Sequence, residues 1–256
     1  MYPRVEFLVN CVWSVHSFMT HMTPNRVLLA LPTEDHHTVL DACERVELEI
    51  RTTLDHVGDT PSFVHFPETA VVSTLSTYSD GSSIEMANIG REACTGIGLI
   101  LGHPRQLNTN EVQVGGRALA MPAKRFVELK ASLPAFERVL FSAVQAVFYQ
   151  VMVSGACNGT HGAKQRLARW LLTMRDRNDE DTIRLTQDFL AEMLGVRRAT
   201  VTEASQDLQS RGLITYSRGQ VRITDREGLR QASCECYDLV RNAYDALLPA
   251  AEKTGS

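Results

Sequence analysis

The stretch that most constrains the fold of this chain is residues 185–214, LTQDFLAEMLGVRRATVTEASQDLQSRGLI. Two short segments with apolar residues at helical spacing flank Gly195, which can end a helix because glycine adopts a left-handed backbone without steric strain. Thr186 can cap the first helix, since its hydroxyl accepts hydrogen bonds from free backbone N–H groups. The stretch therefore predicts two helices joined by a tight turn, the second running from about Arg198 to Arg211.

The residues that follow, LITYSRGQVRITD at 213–225, predict two short strands around Arg218-Gly219. Helix, turn, helix and two-stranded wing is the order of a winged helix-turn-helix unit. The second helix of such a unit enters the major groove of DNA, where arginine can bind guanine or phosphate and long apolar side chains would block the approach. The side chains predicted to contact double-stranded DNA are Thr186, Gln187, Arg197, Arg198, Thr200, Thr202, Gln206 and Arg218. The alternative is an αα-hairpin whose basic face is merely solvated.

Charge is distributed unevenly along the chain. The 256 residues carry a net charge of −4. Residues 164–230 contain 13 Lys+Arg against 10 Asp+Glu, whereas the rest of the chain contains 13 against 20. A mildly basic segment in an acidic chain is a weak indication of a polyanionic partner.

The N-terminal half has a different pattern of apolar and polar residues. Between about residues 46 and 122, short runs such as VELEI and SFVHFP alternate apolar and polar residues and are separated by Gly, Asp, Pro and Asn. Alternation predicts half-buried strands, and Asp80-Gly81 predicts a hairpin turn between two of them. Repeated short strands favour a small antiparallel sandwich or barrel, so the chain is expected to be α+β.

A long helix is predicted from Pro134, over PAFERVLFSAVQAVFYQVMVSGAC. Two apolar stripes run along it, and a helix with two apolar faces must bury both. The first has heptad spacing and is the predicted interface of a homodimer: Leu140, Val144, Val147 and Val151. The second consists of Phe141, Phe148 and Met152. Val147→Glu is therefore expected to split the dimer, although a single core helix in a monomer remains an alternative. Residues 155–159, GACNG, are predicted to form a hinge.

At this point the sequence resembles the Crp/Fnr family of bacterial transcription regulators. The motifs that carry the resemblance are RLARWLL, LTQDFLAEMLGVRRATV and GLITYSRGQVRITD, with FPETAVVS and GIGLILGHPR less specific. It implies an N-terminal antiparallel β-roll like a cyclic-nucleotide-binding domain, a long dimerisation helix and a C-terminal winged helix-turn-helix. It also implies a homodimer that binds a palindromic DNA site and could contact RNA polymerase. Arg198 matches the arginine that family members place on a guanine.

The predicted organisation follows the resemblance. Residues 1–22 are read as an N-terminal extension that could be disordered. The further predicted bounds are 23–133 for the β-roll, 134–158 for the dimerisation helix and hinge, 159–232 for the DNA-binding domain and 233–256 for a C-terminal helix and tail.

The chain also departs from the family pattern. Many members have a glutamate after the guanine-binding arginine and a second arginine four residues later, where this chain has Ala199 and Glu203. Cyclic-nucleotide binders use a Gly-Glu pair for the ribose and an Arg-Ser pair for the phosphate. The corresponding loop, CTGIGLILGHPRQLN, has no glutamate, and Arg105 is followed by Gln106. No cofactor is therefore predicted, and cyclic AMP is not expected to bind.

Cysteine and histidine offer one further constellation. Cys157-x-x-x-His161 and Cys234-x-Cys236 could form a zinc site or a redox switch. Cys-x-Cys is tighter than the usual structural-zinc spacing, however, and nothing in the sequence brings the two pairs together. Ordinary thiols are the prediction. Cys11 and Cys43 do not form the clustered N-terminal cysteines of iron–sulfur sensors.

Other classes of protein find little support. No nucleophile–base set suggests an enzyme, and GIGLILG lacks the Lys-Ser/Thr ending of a phosphate-binding loop. No uninterrupted apolar run reaches the ~20 residues that span a membrane. The six cysteines are dispersed and no convincing signal peptide is present, so a reducing cytoplasm is expected. A small-molecule-binding module whose winged helix contacts proteins remains the main alternative, ahead of an enzyme built on the β-roll.

Overall fold

The computed structural model describes residues 23–79, 83–178 and 180–249. The predicted extension, residues 1–22, and the predicted Asp80-Gly81 turn lie outside the described residues, although the strands on either side of that turn pair antiparallel.

The described residues form ten helices and ten strands in an α+β order, as predicted. The helices are α1 Arg26–Leu29, α2 Thr33–Leu40, α3 Ile97–Ile100, α4 Ala123–Ser132, α5 Pro134–Thr160, α6 Ala163–Arg177, α7 Gln187–Leu194, α8 Arg198–Ser210, α9 Arg226–Ala232 and α10 Cys236–Leu247. The strands are β1 Glu44–Leu48, β2 Thr53–Asp55, β3 Phe63–Pro67, β4 Val71–Thr77, β5 Ser83–Ile89, β6 Thr109–Val114, β7 Gly116–Pro122, β8 Thr182–Arg184, β9 Ile214–Ser217 and β10 Gln220–Ile223.

The N-terminal domain is a roll of two antiparallel sheets, with strand orders β1-β7-β3 and β2-β6-β4-β5. Three fully buried rings fill its end: Phe66 on β3, Phe126 on α4 and Phe136 on α5, with centroids 5.6–6.5 Å apart. Aromatic pairs at such separations stabilise beyond their buried area. The start of the long helix is therefore part of the core of the roll.

The outer face of the four-stranded sheet of the roll packs against the C-terminal domain, which begins with α6. Val71 and Leu75 on β4 and Val114 on β6 belong to the same buried cluster as Leu171 of α6 and Leu190 of α7. The guanidinium of Arg51 also lies over the ring of Phe189, 5.6 Å from its centroid. The two domains thus share a continuous apolar boundary and are not joined by the long helix alone.

Helix α5 runs without interruption from Pro134 to Thr160, so the predicted hinge at 155–159 is wrong. Glycine costs about 1 kcal/mol in a helix interior, but this end of α5 is held in place because Cys157 is completely buried against the C-terminal segment. The chain direction changes at His161 and Gly162 instead, between α5 and α6.

The stripe of α5 that is predicted to form the dimer interface is largely covered by the chain itself. Leu140 and Val147 are buried inside the chain, at 0% and 5% exposure, because they pack against the roll. They cannot contribute to a dimer interface, and Val147→Glu would instead disturb the core. Val144 and Val151 are only partly buried at the edge of that core. Heptad spacing identifies a stripe but not the element that covers it.

The second stripe of α5 is the one that the chain leaves uncovered. Phe141, Phe148 and Met152 are 44%, 62% and 49% exposed. By length and composition alone α5 could also cross a membrane, and only 28% of its most apolar window is buried in the chain. Core helices of water-soluble proteins pass the same test, so that finding is weak evidence for a membrane span.

The C-terminal segment returns to the roll. Helix α10 packs along α5, and Tyr244 and Leu248 join the core of the N-terminal domain. Arg26 fixes this end by donating hydrogen bonds to the carbonyl oxygens of Tyr244 and Leu248, each at 3.0 Å. The final helix therefore closes the molecule over the long helix.

Candidate nucleic-acid interface

The helix-turn-helix forms as its sequence predicts. The hydroxyl of Thr186 accepts a hydrogen bond from the backbone N–H of Phe189 at 3.2 Å, which caps α7. Gly195 ends that helix in the left-handed region, with φ of 60°. The turn Val196-Arg197 then leads into α8, which begins at Arg198.

Helix α8 has one buried and one free side. Val201, Ala204 and Leu208 are at most 1% exposed and pack into the core of the domain. The opposite side is solvent-exposed and polar or small: Arg198, Ala199, Glu203, Gln206 and Gln209. Thr200 and Thr202 lie at its margins. The predicted recognition helix is therefore presented to solvent along its polar side.

The wing is a three-stranded sheet in the order β8-β10-β9, one strand more than predicted. The additional strand is β8, which pairs with β10 through Ile183 and Val221. At the tip, Arg218 and Gly219 both adopt left-handed backbone, with φ of 49° and 72°. This is the geometry of a tight hairpin, and it leaves the Arg218 side chain exposed at the outermost point.

A polar hollow of about 390 Å³ lies where α7, α8 and the wing meet. It brings together four of the predicted DNA contacts: Thr186, Gln187, Arg198 and Arg218. The other four lie outside the residues that line it: Arg197, Thr200, Thr202 and Gln206. Two positive side chains beside the free N–H groups of the α7 terminus make a site suited to a phosphate of the DNA backbone.

Two residues of the hollow were missed by the sequence analysis. Asp188 lies 3.4 Å from Nε of Arg198, and both side chains are about two-thirds exposed. Tyr216 donates a hydrogen bond from its hydroxyl to the carbonyl oxygen of Leu185, and burial raises the pKa of Tyr216. Asp188 lies in the first turn of α7, where an acidic side chain is favourable. Its position opposite Arg198 depends on the angle between two helices, which spacing does not give.

Gln187 is also engaged within the protein. The hydroxyl of Thr202 donates hydrogen bonds to Oε1 of Gln187 at 2.9 Å and to the carbonyl oxygen of Arg198 at 3.1 Å. These contacts fix the orientation of the first turn of α8 relative to α7. Only Oε1 of Gln187 takes part in that hydrogen bond, and the N–H donors of its amide do not.

A buried polar junction connects this domain to the roll, and nothing in the sequence indicated it. Arg177, at the end of α6, forms an ion pair with Glu92 and donates hydrogen bonds to Asn88 and Gln150. Gln150 in turn donates to Asn88 and accepts from the hydroxyl of Tyr244. The side chains of Arg177 and Glu92 are only 4% and 10% exposed. Four elements, β5, α5, α6 and α10, are thus tied together by one network.

Three cysteines that are predicted to be ordinary, separate thiols lie close together in the structure, and a histidine lies beside them. Sγ of Cys157 is 3.5 Å from Sγ of Cys234, and Sγ of Cys236 is 3.5 Å from Nδ1 of His161. All three cysteines are free. The hydrogen bond with Cys234 lowers the pKa of Cys157 to about 5, whereas burial raises the pKa of Cys236. The sequence shows which residues could bind a metal, but it does not show that they lie in contact.

The comparisons with known proteins agree with this arrangement. A family model described as the Crp-like helix-turn-helix domain matches residues 165–232. FixK2 from Bradyrhizobium japonicum has a TM-score of 0.63 at 16% identity, over 75% of this chain and 98% of that protein. A CRP-family transcriptional regulator from Thermus thermophilus, TTHB099, has a TM-score of 0.60 at 17% identity, over 74% and 96%.

A third similar structure is CLP from Xanthomonas campestris, a global regulator responsive to c-di-GMP. Its TM-score is 0.59 at 14% identity, over 75% of this chain and 99% of that protein. At such identities the structures show a shared fold, and the family model adds the type of DNA-binding domain. No curated protein matches the chain in sequence. The chain therefore carries a Crp-like helix-turn-helix domain within a fold that it shares with Crp/Fnr regulators.

The β-roll contains a cavity of about 420 Å³. None of the described residues that line it is acidic, and Arg105 lies exposed at its edge. Six of the twelve lining residues are apolar or glycine, and the other six carry polar side chains: Thr74, His103, Arg105, Gln106, Asn108 and Asn110. A ribose would therefore find no carboxylate to bind its hydroxyl groups.

The glycines of the GIGLILG segment shape the wall of this cavity. Gly96 has a φ of 76°, and a Cβ at Gly98 would lie only 2.5 Å from the carbonyl oxygen of His103. A tight loop accounts for Gly96, and the close approach of the His103 backbone accounts for Gly98. The segment needs no bound phosphate to account for it.

Proposed function

We propose that this chain binds palindromic double-stranded DNA as a homodimer and that it does so without cyclic AMP. The recognition helix supplies the base contacts and the hollow beside it holds the backbone. On this proposal the protein is a regulator rather than an enzyme and works in the cytoplasm. A contact with RNA polymerase stays a prediction from the family resemblance.

The observation that carries the proposal is the free polar side of α8 beside the hollow. Arg198 and Arg218 flank the hollow from the recognition helix and from the wing. A major groove about 12 Å wide admits one α-helix, and phosphate contacts on both sides of it fix the register. The uncovered stripe of α5 supports the homodimer, because a second copy would cover Phe141, Phe148 and Met152.

The direct test is binding of the full chain to labelled duplexes by fluorescence anisotropy. We expect weak, strongly salt-dependent binding to random duplex, and binding tighter by about 10³-fold or more to a palindrome selected from a random library. Equal affinity for all duplexes would contradict the proposal. Absence of DNA binding would favour a winged helix that contacts proteins.

Arg198→Ala is expected to weaken the complex with the selected site by about 1–3 kcal/mol and to relax the preference at one base pair of each half-site. The matched control is Arg125→Ala on α4, because Arg125 is also an exposed arginine in a surface ion pair, 3.3 Å from Glu128. The control is expected to bind normally. An Arg198→Ala protein with unchanged affinity and unchanged base preference would remove α8 from the role assigned to it.

Cyclic AMP is expected to leave the thermal unfolding of the protein unchanged. A ligand at about 100 times its Kd stabilises by about 2.7 kcal/mol, which a melting experiment detects readily. A cyclic-AMP-binding Crp/Fnr protein measured in parallel serves as the positive control. A dose-dependent rise in the melting temperature of this chain would show that the cavity accepts the nucleotide without the missing carboxylate.

A further inference from the structure

Two segments that are distant in the sequence bring four metal-binding side chains to one point. Cys157 lies near the end of α5, His161 follows that helix, and Cys234 and Cys236 flank the start of α10. The Sγ atoms and the imidazole nitrogen all lie within 4.8 Å of one another. The three cysteines are at most 5% exposed, and the histidine side chain is 18% exposed.

Two of the six separations match those around a single tetrahedral zinc ion, and none of the six exceeds 4.8 Å. Zinc–sulfur bonds of about 2.3 Å and zinc–nitrogen bonds of about 2.0–2.1 Å place the ligand atoms of a tetrahedron roughly 3.5–3.8 Å apart. The Cys157–Cys234 and Cys236–His161 separations are both 3.5 Å. Three thiolates and one imidazole form one of the standard ligand sets of structural zinc.

The surroundings of the cluster provide what such a site requires. Nε2 of His161 lies 3.4 Å from the carboxylate of Glu235, so Nδ1 is left to face the sulfur atoms. A carboxylate on the second nitrogen orients zinc-bound histidines and raises their basicity. Arg169 acts on the electrostatics of all three cysteines, and its Nε is buried without a hydrogen-bond partner.

The charges balance when a divalent ion is added. Three thiolates and a neutral imidazole around Zn²⁺ carry a net charge of −1, which the adjacent Arg169 guanidinium neutralises. A cluster of that charge suits Arg169, whose buried Nε has no hydrogen-bond partner, because a cation partly withdrawn from water is stabilised by a nearby negative charge.

We propose that Cys157, His161, Cys234 and Cys236 bind one structural Zn²⁺ ion that ties the end of the long helix to the C-terminal segment. All four positions of the tetrahedron are filled by protein, so the site is closed and has no place for a reacting water. The ion lies at the break between α5 and α6, where the direction of the DNA-binding domain relative to the long helix is set. Its role is to hold that angle.

The test begins with metal analysis of full-length protein made without a polyhistidine tag. We expect about one zinc per chain, and a loss of most of it in Cys234→Ser. The matched control is Cys43→Ser, because Cys43 is outside the cluster and its Sγ donates to the carbonyl oxygen of Val39 at 3.3 Å, a bond that serine can keep. The control is expected to retain the full zinc content.

Two further measurements guard against a variant that simply fails to fold. Wild-type protein refolded with Co²⁺ is expected to show the intense visible bands of a tetrahedral cobalt–thiolate site. Glu235→Gln, which leaves all four ligands in place, is expected to lower zinc affinity by about 10–100-fold in a chelator competition. Glu227→Gln, an exposed glutamate on α9 outside the cluster, is the control for that variant.

Three results would overturn the proposal. One is wild-type protein that lacks zinc and whose Cys157, Cys234 and Cys236 all react with a thiol reagent at the same rate with and without added zinc. Another is a Cys157–Cys234 disulfide in metal-free protein, which would make the cluster a redox pair. The third is stoichiometric iron with sulfide, which would make it an iron–sulfur site.

Discussion

Phe148→Glu is expected to convert the protein from a dimer to a monomer and to reduce its affinity for a palindromic site by about 10²–10⁴-fold. Phe148 is the most exposed residue of the uncovered stripe on α5, at 62%. A glutamate at that position would bring two like charges, one from each copy, into an apolar contact. Burying unpaired charge costs far more than the contact returns.

The size of the effect on DNA follows from geometry. A dimer engages two half-sites, and the second contact is effectively intramolecular, which multiplies the affinity without any new contact to a base. A monomer keeps its own recognition helix, so its affinity for an isolated half-site is expected to be unchanged. Light scattering coupled to size exclusion gives the oligomeric state, and anisotropy on whole and half sites gives the two affinities.

Phe63→Glu is the matched control, because Phe63 is also an exposed phenylalanine, 45% accessible, but lies on β3 of the roll. It is expected to remain a dimer. A Phe148→Glu protein that stays dimeric would show that α5 is not the interface. If the wild-type protein is found in membranes and the Phe148→Glu protein is water-soluble, the stripe contacts lipid rather than a second copy of the chain.

Arg177→Ala is expected to lower the free energy of unfolding by about 3–5 kcal/mol. The change leaves the Glu92 carboxylate buried without its partner and removes the hydrogen bonds that Arg177 donates to Asn88 and Gln150. Removing one member of a buried ion pair costs this much because the remaining charge has no water to solvate it. Denaturant unfolding followed by circular dichroism measures the loss.

Two comparisons make this measurement specific. Arg175→Ala removes another arginine of the same helix, but its partner Asp181 is 55% exposed, so at most about 1 kcal/mol is expected. The double variant Arg177→Met with Glu92→Gln removes both charges and is expected to recover much of the loss. If Arg177→Ala and Arg175→Ala are equally stable, the junction does not hold the domains together.

The helix-turn-helix could be predicted from the sequence because local signals specify it completely. Thr186 caps one helix, Gly195 ends it, and Arg218-Gly219 turns the wing, each through the conformation of its own few residues. The order of strands and helices in the roll followed in the same way, from alternation and turn residues. These parts of the fold need no knowledge of distant contacts.

The parts that were missed all depend on where separate elements meet. Leu140 and Val147 form as clear a stripe as Phe141 and Phe148, and only the position of the roll decides which stripe is covered. The glycines at 155 and 159 suggested a hinge, but the burial of Cys157 keeps that end helical.

The Cys157–Cys234 contact joins residues 77 positions apart in the chain, and the contact of Arg177 with Asn88 joins residues 89 positions apart. Spacing within a motif cannot anticipate such pairs. The sequence shows which side chains could bind a metal or form an ion pair, but it does not show which of them are in contact.

The alternating sides of strand β4 give the cavity and the DNA-binding domain a common wall. Thr74 faces the cavity, while its neighbour Leu75 packs into the cluster that contains Leu171 and Leu190. On strand β6, Asn110 lines the cavity and Val114 lies in the same cluster, because a register shift between Val112 and Val114 reverses the side that the strand presents. A molecule bound in the cavity would therefore be separated from the DNA-binding domain by the thickness of a single β-sheet. That distance is far shorter than the path along the 27 residues of α5.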